Sequence, residues 1–171
     1  VGQPFTFAFA QVGTHCGLVG QNACVEVDGS AYWMSENGFF RYAGKLESLP
    51  CLVEDFVFND LNTTANQLIN AGLNNLFGEI NWFYCSSGAT VIDKCVTYNY
   101  IESTPQRPVW TTSTLDRTTW QDSAVFGKPH ATDYDADSNN SYDVVGNTDG
   151  CTIYYEHETG TDQVTTTATT A

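Results

Sequence analysis

The residues with the plainest chemical potential here are oxygen donors. Asp133, Asp135, Asp137, Asn139 and Asp143 follow one another at short, mostly alternate spacing. Donors placed so suit a hard cation such as calcium. The EF-hand order breaks, because Ser138 stands where its glycine belongs and Val144 where its bidentate glutamate belongs. The run therefore reads as a solvated acidic loop, with calcium as the weaker alternative. Glu79 and Asp28 border apolar stretches, where a carboxylate can be perturbed toward acid–base work. A glycosidase needs two placed carboxylates, and nothing in the spacing pairs these two. A clamp on an acidic sugar needs several arginines. Arg41, Arg107 and Arg117 are all the chain has, with no shared local motif. No G-x-S-x-G, H-E-x-x-H or phosphate-binding loop occurs. We expect no catalytic activity and no cofactor.

Six cysteines, Cys16, Cys24, Cys51, Cys85, Cys95 and Cys151, are widely spaced and form no C-x-x-C. Three scattered histidines add no close ligand pair, so zinc is not expected. Most of the thiols read as small buried apolar groups.

These side chains must be positioned by strands. Ala23–Val27, Ser30–Ser35, Phe39–Tyr42 and Lys45–Leu49 are four short apolar-rich runs. Asp28-Gly29, Asn37-Gly38 and Ala43-Gly44 separate them. The first two are the pairs that a type I′ hairpin turn favours, so the run predicts a four-stranded antiparallel meander. A second unit lies at 71–115. Ile80, Trp82 and Tyr84 alternate with Glu79, Asn81 and Phe83, and Ile92, Val96, Tyr98 and Tyr100 recur on even positions. Pairing Ile80 with Tyr100, Trp82 with Tyr98 and Tyr84 with Val96 puts all of these on one face. That register sets Cys85 opposite Cys95, where a disulfide is geometrically possible. A two-residue slip keeps the faces and moves the cysteines to a diagonal. Flanking strands are expected at Ala71–Phe77 and Val109–Ser113.

Leu61, Ala65, Leu68 and Ile69 form a narrow helical stripe between the units. Asn62 or Thr63 would cap this one short helix, and the cap explains Asn62-Thr63-Thr64 better than a glycosylation acceptor does. A third unit is expected from Val125-Phe126 and His130–Thr132 as one strand and Cys151–Glu156 as another, with 133–150 as loop. The chain thus divides into approximate units 1–58, 59–120 and 121–171. Aromatic triplets recur at Tyr32-Trp33-Met34, Trp82-Phe83-Tyr84 and Ile153-Tyr154-Tyr155. We expect an all-β fold of propeller-like blades. Tyr32, Trp33, Phe40, Trp82, Tyr84, Tyr98 and Trp120 are its expected core.

The charge narrows the partners. With 20 acidic and 6 basic residues among 171, the formal net charge is −14. Such a chain does not grip nucleic acid by phosphate neutralisation, nor does it favour an anionic membrane surface. No apolar run approaches the roughly 18 residues of a transmembrane helix. Val1-Gly2 at one end, Met34 as the only methionine and the Thr-rich 165–171 at the other suggest part of a longer polypeptide.

Several segments resemble those of a phage virion family. They are Gly17–Ala23, Ala31–Ser35, Asn37–Gly44, Leu49-Pro50-Cys51, Asp55–Asp60, Trp82-Phe83-Tyr84 and Leu115–Trp120 with Arg117-Thr118-Thr119-Trp120. In order and spacing they are similar to the tail hub or nozzle proteins of short-tailed bacteriophages, also called packaged-DNA stabilisation proteins. The likeness spans roughly residues 5–160. It implies an irregular β-propeller in a virion, assembled in the host cytoplasm. It also implies a ring of six copies below the portal and adaptor, closing the exit channel for packaged DNA. DNA would pass through without sequence-specific binding. An acidic channel wall would repel phosphates and let DNA slide. The alternative is a propeller-type glycan-binding or glycan-cleaving module of a phage or bacterial surface, in which aromatic rings stack on sugars.

Overall fold

The computed structural model describes residues 9–122, 129–135, 150–155 and 166–167. The chain is all-β, built of three successive four-stranded antiparallel meanders. The first sheet holds β1 (Cys24–Val27), β2 (Ser30–Ser35), β3 (Gly38–Tyr42) and β4 (Leu46–Leu49), in that spatial order. Asp28 and Gly29 turn β1 into β2 with φ of 48° and 76°. Glycine carries the second of these angles without steric cost, which is the type I′ geometry expected of Asp-Gly. The second turn differs from expectation. Ser35 pairs with Gly38, so the loop residues are Glu36 and Asn37, and Gly38 opens β3 with φ 133°. The freedom of glycine is used at the strand's first residue rather than within the turn.

The connection to the second sheet contains two helical segments rather than one. The helix α1 spans Glu54–Asp60, with Glu54 and Asp55 in its first turn, where carboxylates favour the helix dipole. It has only seven residues and buries Val57 alone, too little for a periodic stripe. The expected helix is a 3₁₀ turn over Thr63–Leu68. Asn62 is its cap, accepting from the Thr64 N–H at 3.1 Å. Its amide also donates to the Ala89 carbonyl at 2.7 Å. Of the anticipated stripe, Ala65 and Ile69 are buried while Leu68 is 40% exposed.

The second sheet orders β5 (Asn70–Asn74), β6 (Glu79–Tyr84), β7 (Lys94–Asn99) and β8 (Trp110–Ser113). The faces are as expected, but the register is slipped by two residues. Ile80 pairs with Tyr98, Trp82 with Val96 and Phe83 with Cys95. The turn chemistry explains the shift. Asp93 accepts from both the N–H and the hydroxyl of Ser86, which fixes where β7 starts and leaves Cys85 beyond the paired stretch. The proposed Cys85–Cys95 disulfide is therefore corrected: both are free, buried thiols.

The third sheet consists of β9 (Thr119–Gln121), β10 (His130–Asp135), β11 (Gly150–Tyr155) and β12 (Thr166–Thr167). Thr119 pairs with Thr132 and Trp120 with Ala131, so Trp120 belongs to this sheet and not to the second unit. Val125-Phe126 lie outside the described residues. Successive sheets meet through their first strands: β1 lies against β5, and β5 against β9. A parallel bridge joins Asn22 to Asn70, and the Ala71 N–H donates to the Asn22 carbonyl at 2.8 Å. The Asn70 amide donates onward to the carbonyls of Arg117 and Thr118 at 3.2 and 3.1 Å. Inner strands side by side around an axis are how propeller blades stack.

Candidate functional site

In a molecule of stacked sheets, the functional surfaces are the seams between sheets and the faces left over. The first seam is aromatic. Alternation along β2, β3, β6 and β7 sends Tyr32, Met34, Phe39, Ile80, Trp82, Tyr84 and Val96 into one buried cluster. Phe39 sits 4.9 Å from Trp82 and 4.7 Å from Trp110, ring centre to ring centre, and Tyr98 sits 4.7 Å from Trp110. Such offset and tilted pairs add to the plain burial of apolar area. The Trp82 indole donates to the Ala23 carbonyl at 3.1 Å, tying the second sheet to the chain entering β1. Tyr84 is completely buried, and its hydroxyl finds no hydrogen-bond partner among the described residues. Burial pushes its pKa up to about 12, with the charges of Asp60 and Asp93 adding to the rise.

The second seam mixes rings with polar groups. Phe83 stands 5.7 Å from Trp120, whose indole donates to the Leu73 carbonyl at 2.7 Å. A Cβ on Gly72 would lie 2.4 Å from the Trp120 ring, so only glycine lets β9 approach. Around this contact Asn70, Asn74, Asn81 and Arg117 are buried. The Thr97 hydroxyl donates to the Asn81 Oδ1 at 2.6 Å, and the Cys95 thiol reaches the same oxygen at 3.9 Å. Burial pushes the Cys95 thiol up to about 12, so it is a poor nucleophile near neutrality.

Of the residues expected in the core, Tyr32, Trp82 and Tyr84 are buried, and Tyr98 and Trp120 are half-buried against the seams. Trp33 and Phe40 are corrected. They point to the opposite face of the first sheet and stack on each other at 5.9 Å. Phe39 takes the core position, because it pairs with the buried Met34 while Phe40 pairs with Trp33. Trp110 and Phe83 were not anticipated as core. The cross-strand pairing of Trp110 with Tyr98 is the signal that places it.

The candidate chemical groups do not converge. Asp28 is exposed at a turn tip. Glu79 accepts from the Asn74 amide at 2.9 Å. The Arg41 guanidinium lies 5.6 Å over the Tyr32 ring and 3.8 Å from Glu47. Arg107 closes an exposed turn with Thr104. Arg117 lies in the second seam, 3.0 Å from Asp116. Asp133 and Asp135 belong to β10, paired with Thr152 and Gly150, rather than to a loop. Asp137, Asn139 and Asp143 lie outside the described residues. Among the described residues no cluster of three or more His, Cys, Asp or Glu has metal-binding geometry, and no helix is long and apolar enough to cross a membrane. No family model and no curated protein matches this chain.

Proposed function

We propose that this chain is a structural component of a bacteriophage virion, a tail hub or nozzle protein that closes the DNA exit channel below the portal and retains packaged DNA. The observation that carries the reading is the abutment of β1, β5 and β9 in three consecutive meanders. That geometry suits a rigid wall around an axis. Two further features support it. Large rings face one another across the first seam, as Tyr32 does Tyr98 and Phe39 does Trp82 and Trp110, which leaves those faces closed to a sugar. Asp28, just after β1, is exposed beside the inner strand, where a carboxylate would repel passing phosphates. The proposed partners are further copies in a ring of six, the portal and adaptor, and DNA in transit.

Electron microscopy of the native material, with rotational symmetry determined rather than imposed, tests this. A sixfold ring on a tail axis is the expected result. An isolated particle without symmetry overturns it. Binding or cleavage of an oligosaccharide by a monomer would establish the glycan-directed alternative.

A further inference from the structure

Two carboxylates meet where the chain leaving the first sheet joins the second. Asp60 ends α1, and Asp93 directly precedes β7. The bridge between Leu61 and Ser86 holds these segments side by side, as does the Asn62 N–H donating to the Cys85 carbonyl at 2.9 Å. Both carboxylates then turn onto adjacent main-chain amides. Asp93 accepts from the Ser86 N–H at 2.7 Å and from the Ser86 hydroxyl, and Asp60 accepts from the Ser87 N–H at 3.4 Å. Asp60 and Asp93 are half-buried. Among the described residues neither has an ion-pair partner. Lys94, opposite Tyr84 in the register, forms no ion pair with either. The helix α1 has no basic residue in its last turn, so the negative end of its dipole adds to the same sign.

The Tyr84 hydroxyl points to what this place takes. Tyr84 is fully buried, and its hydroxyl has no hydrogen-bond partner among the described residues. Burial raises its pKa first, and the charges of Asp60 and Asp93 raise it further, so the hydroxyl stands beside them. A buried hydroxyl is costly without a partner, and charges withdrawn from water are paired or coordinate a metal. A water molecule would meet the first need and leave the second. A cation meets both. It neutralises the carboxylates and takes a lone pair of the phenol oxygen, whose proton then turns to a carboxylate oxygen.

We propose that Asp60, Asp93 and Tyr84 hold a hard divalent cation, calcium by preference, which braces the end of α1 against the loop before β7. The donors are all oxygen, the set that suits a hard ion rather than a soft one. They stand on three separate segments, each fixed by main-chain bonds. Calcium accepts so irregular a set more readily than magnesium, which demands near-ideal octahedral geometry. Two carboxylates and a phenol do not make a full shell, so water completes it. The expected dissociation constant is that of weak calcium sites, roughly 0.1–1 mM. The site is distinct from the acidic run at 133–143, and it stands apart from the virion role.

Thermal unfolding of the 171-residue chain, in EDTA and in calcium chloride, tests it. A rise in melting temperature of at least about 3 °C is expected in about 10 mM calcium, by mass action on the folded state. The rise must exceed that in magnesium chloride, because screening of a net charge of −14 stabilises with either ion. Asp60→Asn should abolish the calcium-specific part. In EDTA it should melt no lower than the wild type, since it relieves repulsion between like charges. Tyr84→Phe keeps the shape of the core and decides the matter if Asp60→Asn does not fold. It should raise the half-saturating calcium concentration about tenfold or more, the scale for a lost partner of a metal site. The double variant Asp137→Asn with Asp143→Asn should keep the full rise. No rise, or an equal rise in magnesium, overturns the proposal. So does a rise that Asp60→Asn or Tyr84→Phe leaves unchanged, which gives the ion to the acidic run if the double variant removes it. An Asp60→Asn chain that melts lower in EDTA would make Asp60 a plain structural contact and overturn it as well.

Discussion

Between the first and second sheets, Phe39, Trp82, Tyr98 and Trp110 meet ring against ring. Between the second and third, one ring pair is set among Asn70, Asn74, Asn81, Thr97 and Arg117. The strand β6 serves both, with Ile80, Trp82 and Tyr84 on one side and Asn81, Phe83 and the following Cys85 on the other. The materials imply different work. Aromatic packing is roughly proportional to buried area and forgiving of small shifts. Buried amides are costly unless every bond is made, so they add less net stability but punish the wrong register. The first seam holds the sheets together, and the second fixes how they align.

The largest effect should come from the first seam. Trp82→Ala removes a fully buried ring and the bond to Ala23. It should cost about 3–5 kcal/mol in urea unfolding. A loss below about 1 kcal/mol would mean that this seam is not the main source of stability.

The second seam should respond to a much smaller deletion, for a different reason. Asn81→Ala removes little volume but strips the acceptor from the Thr97 hydroxyl and the Cys95 thiol. Leaving a buried donor unpaired costs about 1–3 kcal/mol. The double variant Asn81→Leu with Thr97→Val should recover part of that loss, since neither partner is then stranded. A double variant as unstable as the sum of the two singles would show that the polar pair is not coupled.

Alkaline pH probes a buried group of each seam. Burial raises the Cys95 thiol from 9.0 to about 12 in the folded chain. The folded state therefore keeps a proton that the unfolded chain releases. The stabilisation is complete below pH 9 and is lost as pH rises toward 12. The slope contributed by this one group is about 1.4 kcal/mol per pH unit. Urea unfolding at a series of pH values should give a shallower alkaline decline for Cys95→Ala. Tyr84→Phe should flatten the curve too, because Tyr84 is likewise raised. Near neutrality it should leave stability unchanged or improved, since that hydroxyl has no partner to lose among the described residues. An unchanged slope in both variants would place these groups in contact with water.

Much of the architecture is legible in the sequence, because β-structure writes its own punctuation. Asp28-Gly29 fixes one hairpin, and the even-numbered apolar residues of 80–98 fix which face is buried. The two-residue slip is not legible. Faces have a period of two, so the alternation is satisfied equally by both registers, and only the bonds from Asp93 to Ser86 choose between them. The helix α1 is hidden for a related reason: one buried residue, Val57, makes no pattern. The polar seam left no trace either. Asn70, Asn74 and Asn81 look like solvent-facing residues until a third sheet covers them.

The smallest effect tests the limit of that legibility. Phe39 and Phe40 are chemically identical neighbours, which the pleat sends to opposite faces, and the pairing with Met34 puts Phe39 on the inner one. Had Asn37-Gly38 formed the turn, every pair would slip by two residues and Met34 would face Arg41 instead of Phe39, but Phe40 would stay on the outer face, because faces have a period of two. With Glu36-Asn37 as the loop, Phe39 is fully buried, and Phe40 keeps only its stack on Trp33. In dilute solution Phe39→Ala should therefore cost about 3–5 kcal/mol, while Phe40→Ala should cost about 0.5–1.5 kcal/mol, the worth of one exposed aromatic pair. Equal losses would mean that the outer face is as tightly packed as the seam. A larger loss at Phe40 would mean that β3 is slipped by one residue against β2, which reverses the assignment of every residue on it.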